Sequence, residues 1–254
     1  MEYSEILQSH HLTVFQWIAI GLAVFLLGLS KAGIKGIGII IVVILAFVFG
    51  EKASTGVLLP MLICADILAV MYYNRHAQWA YIIKLLPMMI VGVLVGVWLG
   101  NDISEIIFKK LMAIIIIGSV ILMFISESRK SSSVPKSKFF SWIAGFLAGF
   151  TTMIGNLAGP VANIYFLAMR LPKNEFIGTA AWLFFIVNVF KLPFHFFVWK
   201  TVNKETLILN SVMVPVVIAG FFVGAFLVKL ISNLNYRRFI LIVTAIGGVI
   251  LLFR

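Results

Sequence analysis

Two lysines lie in a glycine-rich stretch between two apolar runs, GLSKAGIKGIG at residues 28–38. Lys31 and Lys35 are four residues apart, so a helical conformation would put both on one face. Glycines let backbone N–H groups approach a ligand closely, and a helix that starts near Gly36 would point its positive end at the same place. These groups together predict a site for a compact anion with several oxygens. The alternative is an ordinary turn whose lysines extend to a surface.

A second glycine-containing stretch, TTMIGNLAGP at residues 151–160, has no lysine. It offers Thr151, Thr152 and Asn156, and Asn163 follows shortly after it. These neutral donors and acceptors suit the remaining oxygens of an oxyanion. Hydrogen bonds between helices and tight helix packing are the alternative roles for the same residues.

Asp66 is the only acidic residue well inside an apolar segment. A carboxylate in that position either pairs with a cation or takes up and releases a proton. The candidate cations are Lys31, Lys35 and Lys191. We therefore predict either a structural ion pair or a role for Asp66 in coupling transport to protons.

Three further polar residues, Asn188, Lys191 and His195, lie on one later apolar segment. Lys191 is a second cation inside such a segment and a candidate contact for the substrate. Asn188 and His195 join Asp66 as candidate coupling residues. A histidine at the membrane edge, with its hydrogen bonds satisfied, is the alternative for His195.

The composition shows which elements position these residues. Of 254 residues, 62% are hydrophobic and 11% are charged, which excludes a soluble enzyme. A single cysteine excludes a disulfide scaffold. The apolar runs are continuous rather than alternating, so the sequence predicts an all-α polytopic membrane protein. No catalytic residues, metal site or cofactor are expected, because the acid/base and metal-ligand motifs are missing.

We predict ten apolar segments. The first two and the sixth and seventh are short, and each short pair is joined by one of the glycine stretches. Pieces of about 14 residues rise only about 21 Å, which makes them candidates for broken or re-entrant helices. The predicted segments are 14–29, 36–49, 54–73, 82–99, 108–125, 139–154, 157–169, 175–198, 206–230 and 236–253.

The polar linker 126–138 divides the chain into two similar halves, 1–125 and 139–254. Pro87, Gly92 and Gly96 recur 128 residues later as Pro215, Gly220 and Gly224. Each half has five segments, and an odd number makes the halves enter the membrane from opposite sides. The fold prediction is therefore two inverted five-segment repeats, as in many secondary transporters.

The net charge of +11 fits basic loops beside a lipid bilayer better than a nucleic-acid partner, and none is expected. The predicted loops on one side of the membrane hold more Lys and Arg than those on the other. The positive-inside rule then places the linker in the cytoplasm and both termini outside. The sequence is also compatible with a homodimer.

The first stretch, the Ala53-Ser54-Thr55 segment and the glycine-bearing helices resemble the TauE/SafE family, also called the sulfite exporter or toluene-sulfonate uptake permease family. The resemblance covers about 14–253. It implies a bacterial inner-membrane protein that exports or takes up sulfite, organosulfonates or other small organic anions. The residues that match the family's motifs are Gly28, Ser30, Lys31, Gly33 and Gly36 in the first motif, and Gly149, Gly155 and Gly159 in the second. Of these, Ser30, Lys31, Gly33 and Gly36 are candidate substrate-binding residues.

The leading interpretation is a secondary transporter that binds a small anion, sulfite or an organosulfonate, between the two glycine stretches and works by alternating access. A passive anion channel is the second interpretation. A membrane-embedded enzyme or assembly factor is the third, and the missing acid/base cluster argues against it.

Overall fold

The computed structural model describes residues 12–101, 138–232 and 235–236, with scattered positions between 103 and 121. The described chain is helical and contains no strand within those residues. The helices are α1 (Val14–Ala32), α2 (Gly38–Phe49), α3 (Glu51–Tyr73), α4 (Trp79–Asn101), α5 (Lys138–Gly155), α6 (Ala158–Ala168), α7 (Lys173–Pro193) and α8 (Lys204–Leu230). A 3₁₀ turn follows α3 at Asn74–His76, and a π-helical turn follows α7 at Phe194–Val198.

Local sequence signals set several of these boundaries. Thr13 caps α1 by accepting a hydrogen bond from the N–H of Gln16, whose side chain accepts one from Thr13 in return. Asn203 and Thr206 form the same reciprocal cap at the start of α8. Gly50, with a φ of 84°, separates α2 from α3 in a conformation that favours glycine.

Five helical stretches in the described residues are long and apolar enough to cross a bilayer: Val14–Ala32, Glu51–His76, Trp79–Asn101, Lys173–Val198 and Lys204–Leu230. α2 and α6 have 12 and 11 residues, so they rise only about 18 and 17 Å. Large apolar side chains such as Phe15, Trp98 and Phe226 are exposed on the outer faces, where a soluble protein would carry polar groups. The prediction of a polytopic all-α membrane protein is confirmed.

Eight of the ten predicted segments correspond to these helices. Most of 108–125 and 236–253, and the linker except its last residue, lie outside the described residues. Several predicted edges differ from the observed ones by up to three residues, and the end of the first helix is the one that bears on the site. α1 continues past 29 to Ala32, because Gly28 packs inside the helix and Gly33, with a φ of 128°, is the residue that ends it.

The most extensive contacts between helices join the two halves of the sequence. α1 packs along α8, α4 packs along α5, and α3 packs against α7. Each pair takes one helix from each half. Within the halves, α1 contacts α2 and α5 contacts α6. The opposite orientation of the halves in the membrane stays a prediction.

Glycines allow these helices to approach closely, as small residues do in membrane proteins. A side chain at Gly92 would overlap the carbonyl oxygen of Phe146, and one at Gly220 would overlap that of Phe25. Gly220 follows Gly92 by 128 residues, and Phe146 follows Phe25 by 121. Both glycines therefore serve packing at contacts between the halves, and the equivalence of the two contacts by an internal repeat stays a prediction.

Candidate functional site

A pocket of about 740 Å³, including its open part, lies between the two glycine stretches. We call it the central pocket. Its polar and glycine lining residues are Ser30, Lys31, Lys35, Gly36, Gly38, Thr152, Asn156, Gly159, Asn163 and Asn188. Its remaining lining residues are Leu27, Ile39, Ile41, Val42, Leu58, Leu62, Leu157, Ala158, Pro160 and Phe184.

The first glycine stretch forms one side of the central pocket. It is not one continuous helix. Lys31 lies in the last turn of α1, whereas Lys35 lies in the turn before α2. Gly33 and Gly36 have φ values of 128° and 102°, which redirect the chain between the two helices. The helical spacing of the lysines is therefore not what brings them together; the turn does.

The end of α1 is held by side chains from other helices. The hydroxyl of Tyr73 donates to the carbonyl oxygen of Ala32 at 3.0 Å, and that of Tyr236 donates to Gly33 O at 2.6 Å. These bonds satisfy carbonyls that a helix end leaves without intrahelical partners. The turn that carries Lys35 is thus fixed in place.

Lys31 is paired with Asp66. The Lys31 Nζ lies 2.6 Å from Asp66 Oδ1, and both side chains are buried. The Nδ2 of Asn188 donates to the other carboxylate oxygen of Asp66 at 2.7 Å. The Lys31 ammonium also lies 4.9 Å from the centre of the Phe184 ring. Of the three candidate cations for Asp66, the structure selects Lys31.

Lys35 has a different environment. Its side chain is buried, and its Nζ donates to the carbonyl oxygen of Ser30 at 3.2 Å. Within the described residues it forms no ion pair with a carboxylate. Lys35 therefore brings a positive charge to the wall of the central pocket that no bonded carboxylate balances.

The second glycine stretch forms the opposite side and receives its cation from α7. The Lys191 Nζ donates to Thr152 O at 2.9 Å, to Thr152 Oγ1 at 3.0 Å and to Asn156 Oδ1 at 2.7 Å. Asn156 has a φ of 56° and donates from Nδ2 to the carbonyl oxygen of Thr55 at 3.0 Å. Lys191 lies behind the pocket wall rather than in it.

The two threonines of this stretch face different ways. Thr151 donates to the carbonyl oxygens of Ala148 and Leu157 and does not line the central pocket. Thr152 lines it. Within the described chain, no hydrogen bond is found for the hydroxyl of Ser30 or the Nδ2 of Asn163, and the buried Oδ1 of Asn163 has no partner either. Thr152, Ser30 and Asn163 are thus the neutral groups with donors available to a ligand.

Both short helices begin at the central pocket. No side chain caps the start of α2 or α6, so first-turn N–H groups are left for another partner. Gly38 and Gly159 are equivalent positions, 121 residues apart, and each lines the pocket. A Cβ added at either would meet no atom within 4 Å. These two glycines face open space, unlike those at the helix contacts.

His195 is not part of the central pocket. It lies in the π-helical turn after α7, fully buried, with Nδ1 2.8 Å from Thr201 Oγ1 and its ring against that of Trp199. Its Nε2 has no partner in the described part of the chain. The candidate coupling role of His195 stays a prediction.

The structure thus brings most sequence-predicted site residues around one pocket. Sequence reasoning missed its apolar wall, which includes Leu27, Ile39 and Phe184. Apolar residues in an apolar sequence carry no signal that would single them out. Among the described residues, no group of three His, Cys, Asp or Glu side chains could hold a metal ion.

The comparison with protein families gives one match. A family model described as Sulfite exporter TauE/SafE matches residues 19–251, which is most of the chain. No curated protein and no solved structure matches it. The matched region includes both glycine stretches and all the residues that line the central pocket. The chain is a multi-pass membrane protein that belongs to the sulfite exporter TauE/SafE family of transporters.

Proposed function

We propose that this protein is a secondary transporter of small anions, sulfite or an organosulfonate, and that the central pocket is its binding site. The observation that carries this proposal is Lys35, a buried ammonium on the pocket wall that no carboxylate in the described chain pairs with. A charge buried in this way is costly and favours an anion beside it. The family match supports transport as the activity.

The rest of the pocket suits the same ligand. The uncapped starts of α2 and α6 provide backbone N–H groups and the positive ends of two helix dipoles. Ser30, Thr152 and Asn163 provide neutral donors on both sides. An oxyanion has oxygens pointing in several directions, so donors from both glycine stretches can bind it together.

Release requires that these contacts can be weakened, and the pair Lys31–Asp66 offers a way. Lys31 lines the pocket, so a bound anion competes with Asp66 for its ammonium. When the anion leaves, the Lys31 ammonium pairs with Asp66 again, and the site returns to its empty state. Asn188 holds the carboxylate in position throughout. Alternating access would then move one group of helices relative to the other around this site.

The test is ligand-dependent thermal stabilisation of the purified protein in detergent. The anions are sulfite, sulfate, thiosulfate, sulfoacetate, taurine, acetate, phosphate and chloride. A ligand that binds only the folded state adds about 2.7 kcal/mol at a hundredfold excess over Kd. We expect a sulfur oxoanion to stabilise the wild type and Lys84→Ala, which removes an exposed lysine outside the pocket. Lys31→Ala and Lys35→Ala should lose the effect.

Transport itself is measured in proteoliposomes loaded with the stabilising anion. A secondary transporter shows saturable uptake and counterflow, and Lys31→Ala should abolish both while the protein still inserts. Flux that does not saturate and shows no counterflow would indicate the passive channel instead. If no anion stabilises the protein, or if an anion stabilises the lysine variants as much as the wild type, the central pocket is not an anion site.

A further inference from the structure

Lys191 is a buried cation whose hydrogen bonds all go to neutral groups. Its side chain is fully buried, and its Nζ donates three bonds, two to Thr152 and one to Asn156. An ammonium has three N–H donors, so none is left for a ligand. The ion pairs of the described residues do not include it. Lys191 is therefore held by neutral groups alone within hydrogen-bond distance, and it has no donor left to touch a substrate directly.

The acceptors of Lys191 are themselves pocket residues. Thr152 and Asn156 both line the central pocket, so the Lys191 ammonium lies one side chain behind its wall. Asn156 is bonded on both sides, to Lys191 through Oδ1 and to the carbonyl oxygen of Thr55 through Nδ2. Its amide therefore holds the wall together rather than facing a ligand.

Thr152 differs because a hydroxyl has one proton and two acceptor positions. Its Oγ1 accepts from Lys191, and its own proton is donated to no group among the described residues. The neighbouring Thr151, in contrast, donates its proton to backbone carbonyls. A proton that points away from Lys191 at a pocket-lining position is available to an anion.

The two halves of the chain also differ at this place. Asn188 follows its partner Asp66 by 122 residues, and by the same spacing Lys191 corresponds to Ala69. Thr152 follows Lys31 by 121 residues, the spacing that also separates Phe25 and Phe146. The first half has Lys31 and Lys35 in its glycine stretch, and Lys31 pairs with Asp66. The second half has its lysine on α7, and that lysine forms no ion pair with a carboxylate in the described chain.

We infer that Lys191 is a positioning residue for substrate: it orients the Thr152 hydroxyl so that its O–H donates to the bound anion. This inference rests on the proposed function, since it needs an anion in the central pocket. On the side of the pocket formed by the second glycine stretch, Thr152 contacts the anion directly and Lys191 acts through Thr152.

The test measures the dissociation constants of sulfite and sulfoacetate by isothermal titration of the detergent-purified protein. Thr152→Val keeps the shape and removes the hydroxyl, whereas Thr152→Ser keeps the hydroxyl. Lys191→Met removes the charge at similar length. We expect Thr152→Val and Lys191→Met each to weaken binding at least about tenfold, since hydrogen bonds to charged groups are strong. Thr152→Ser should stay within about threefold of wild type.

The decisive result is the double variant Lys191→Met, Thr152→Val. If Lys191 acts through the Thr152 hydroxyl, the double variant binds the anion no more weakly than Lys191→Met alone. If the two residues acted independently, the factors by which the single substitutions raise the dissociation constant would multiply. Thr151→Val is the matched control, because it removes a neighbouring buried hydroxyl that does not line the pocket. It should leave both dissociation constants unchanged.

Three results distinguish failure of this inference from failure of the proposed function. The inference is overturned if Thr152→Val binds the anion as tightly as the wild type. It is also overturned if the factors by which the two single substitutions raise the dissociation constant multiply in the double variant. Neither result contradicts the proposed function. Absence of sulfite and sulfoacetate binding by the wild type overturns the proposed function for these anions and the inference with it. If Lys191→Met does not fold, the contrast between Thr152→Val and Thr152→Ser decides, because equal binding by these two rules out a role for the hydroxyl.

Discussion

Lys31 and Asp66 form a buried ion pair, and buried pairs behave asymmetrically when one partner is removed. Asp66→Asn leaves the Lys31 ammonium buried without its counter-charge. We expect the free energy of unfolding to fall by about 3 kcal/mol or more. Lys31→Met combined with Asp66→Asn should recover most of that stability, because no charge remains. The measurement is chemical denaturation of both variants in detergent micelles.

The second ion pair in the described chain serves as the control. Lys109 lies 3.4 Å from Glu51, and its side chain is 71% exposed. Exposed pairs contribute less than about 1 kcal/mol, so Glu51→Gln should change stability little. An Asp66→Asn variant as stable as Glu51→Gln would contradict the ion-pair interpretation and would mean that water or another group solvates Lys31.

At the residue scale, the sequence singled out polar groups that the structure places in or beside the central pocket, but it did not show which of them bond to each other. It placed Lys31, Lys35 and Asp66 in or near one site, because charges in apolar segments are conspicuous. The sequence could not show which lysine forms the ion pair with Asp66. It also could not separate Thr151 from Thr152, since neighbouring helix residues point about 100° apart and the rotation of α5 is set by its packing on α4.

At the element scale, the contact of α4 with α5 depends on the absence of side chains at its glycines. A Cβ at Gly149 would overlap the carbonyl oxygen of Met89, which is backbone and cannot turn aside. Gly149→Ala should therefore force the helices apart and lower stability by about 1–3 kcal/mol. Gly21→Ala, where no atom lies within 4 Å, should be neutral or slightly stabilising. Thermal unfolding in detergent compares the two, and equal melting temperatures would contradict this account.

The starts of α2 and α6 give the opposite prediction for the same substitution. Gly38→Ala and Gly159→Ala add a methyl group that meets no protein atom and has no positive φ to oppose it. Stability should be unchanged or raised by up to about 1 kcal/mol, because alanine favours helix. Anion affinity should fall, because the methyl group occupies the central pocket. Thermal unfolding and titration with sulfite measure both quantities on the same samples, and unchanged affinity would place the anion elsewhere.

Helix positions were largely predictable because the apolar runs are long and uniform. The end of α1 was not, and the reason is local. Gly28 and Gly33 look alike in the sequence, but Gly28 is a packing residue against α8 and Gly33 is the helix terminator. Only the neighbour across the contact distinguishes them. The direction of each short helix within the membrane depends on the same kind of contact.

At the scale of the whole molecule, the distribution of Lys and Arg predicts that the linker lies in the cytoplasm. The single Cys64 makes this testable, because Cys64→Ala gives a background without cysteine. Ser132→Cys in the linker should react with a membrane-impermeant thiol reagent only in inside-out vesicles. Lys200→Cys, between α7 and α8, should react only in intact cells. The reverse pattern would invert the predicted topology.

The crossed pairing of α1 with α8 and of α4 with α5 has a consequence for how the chain assembles. Among the described helices, the glycine faces at these two contacts are covered by a helix from the other half of the sequence. Either half expressed alone would therefore leave these faces without the helices that cover them. A chain cut within 126–138 and expressed as two pieces should reassemble in the membrane, because these contacts form between the halves and do not require a continuous chain.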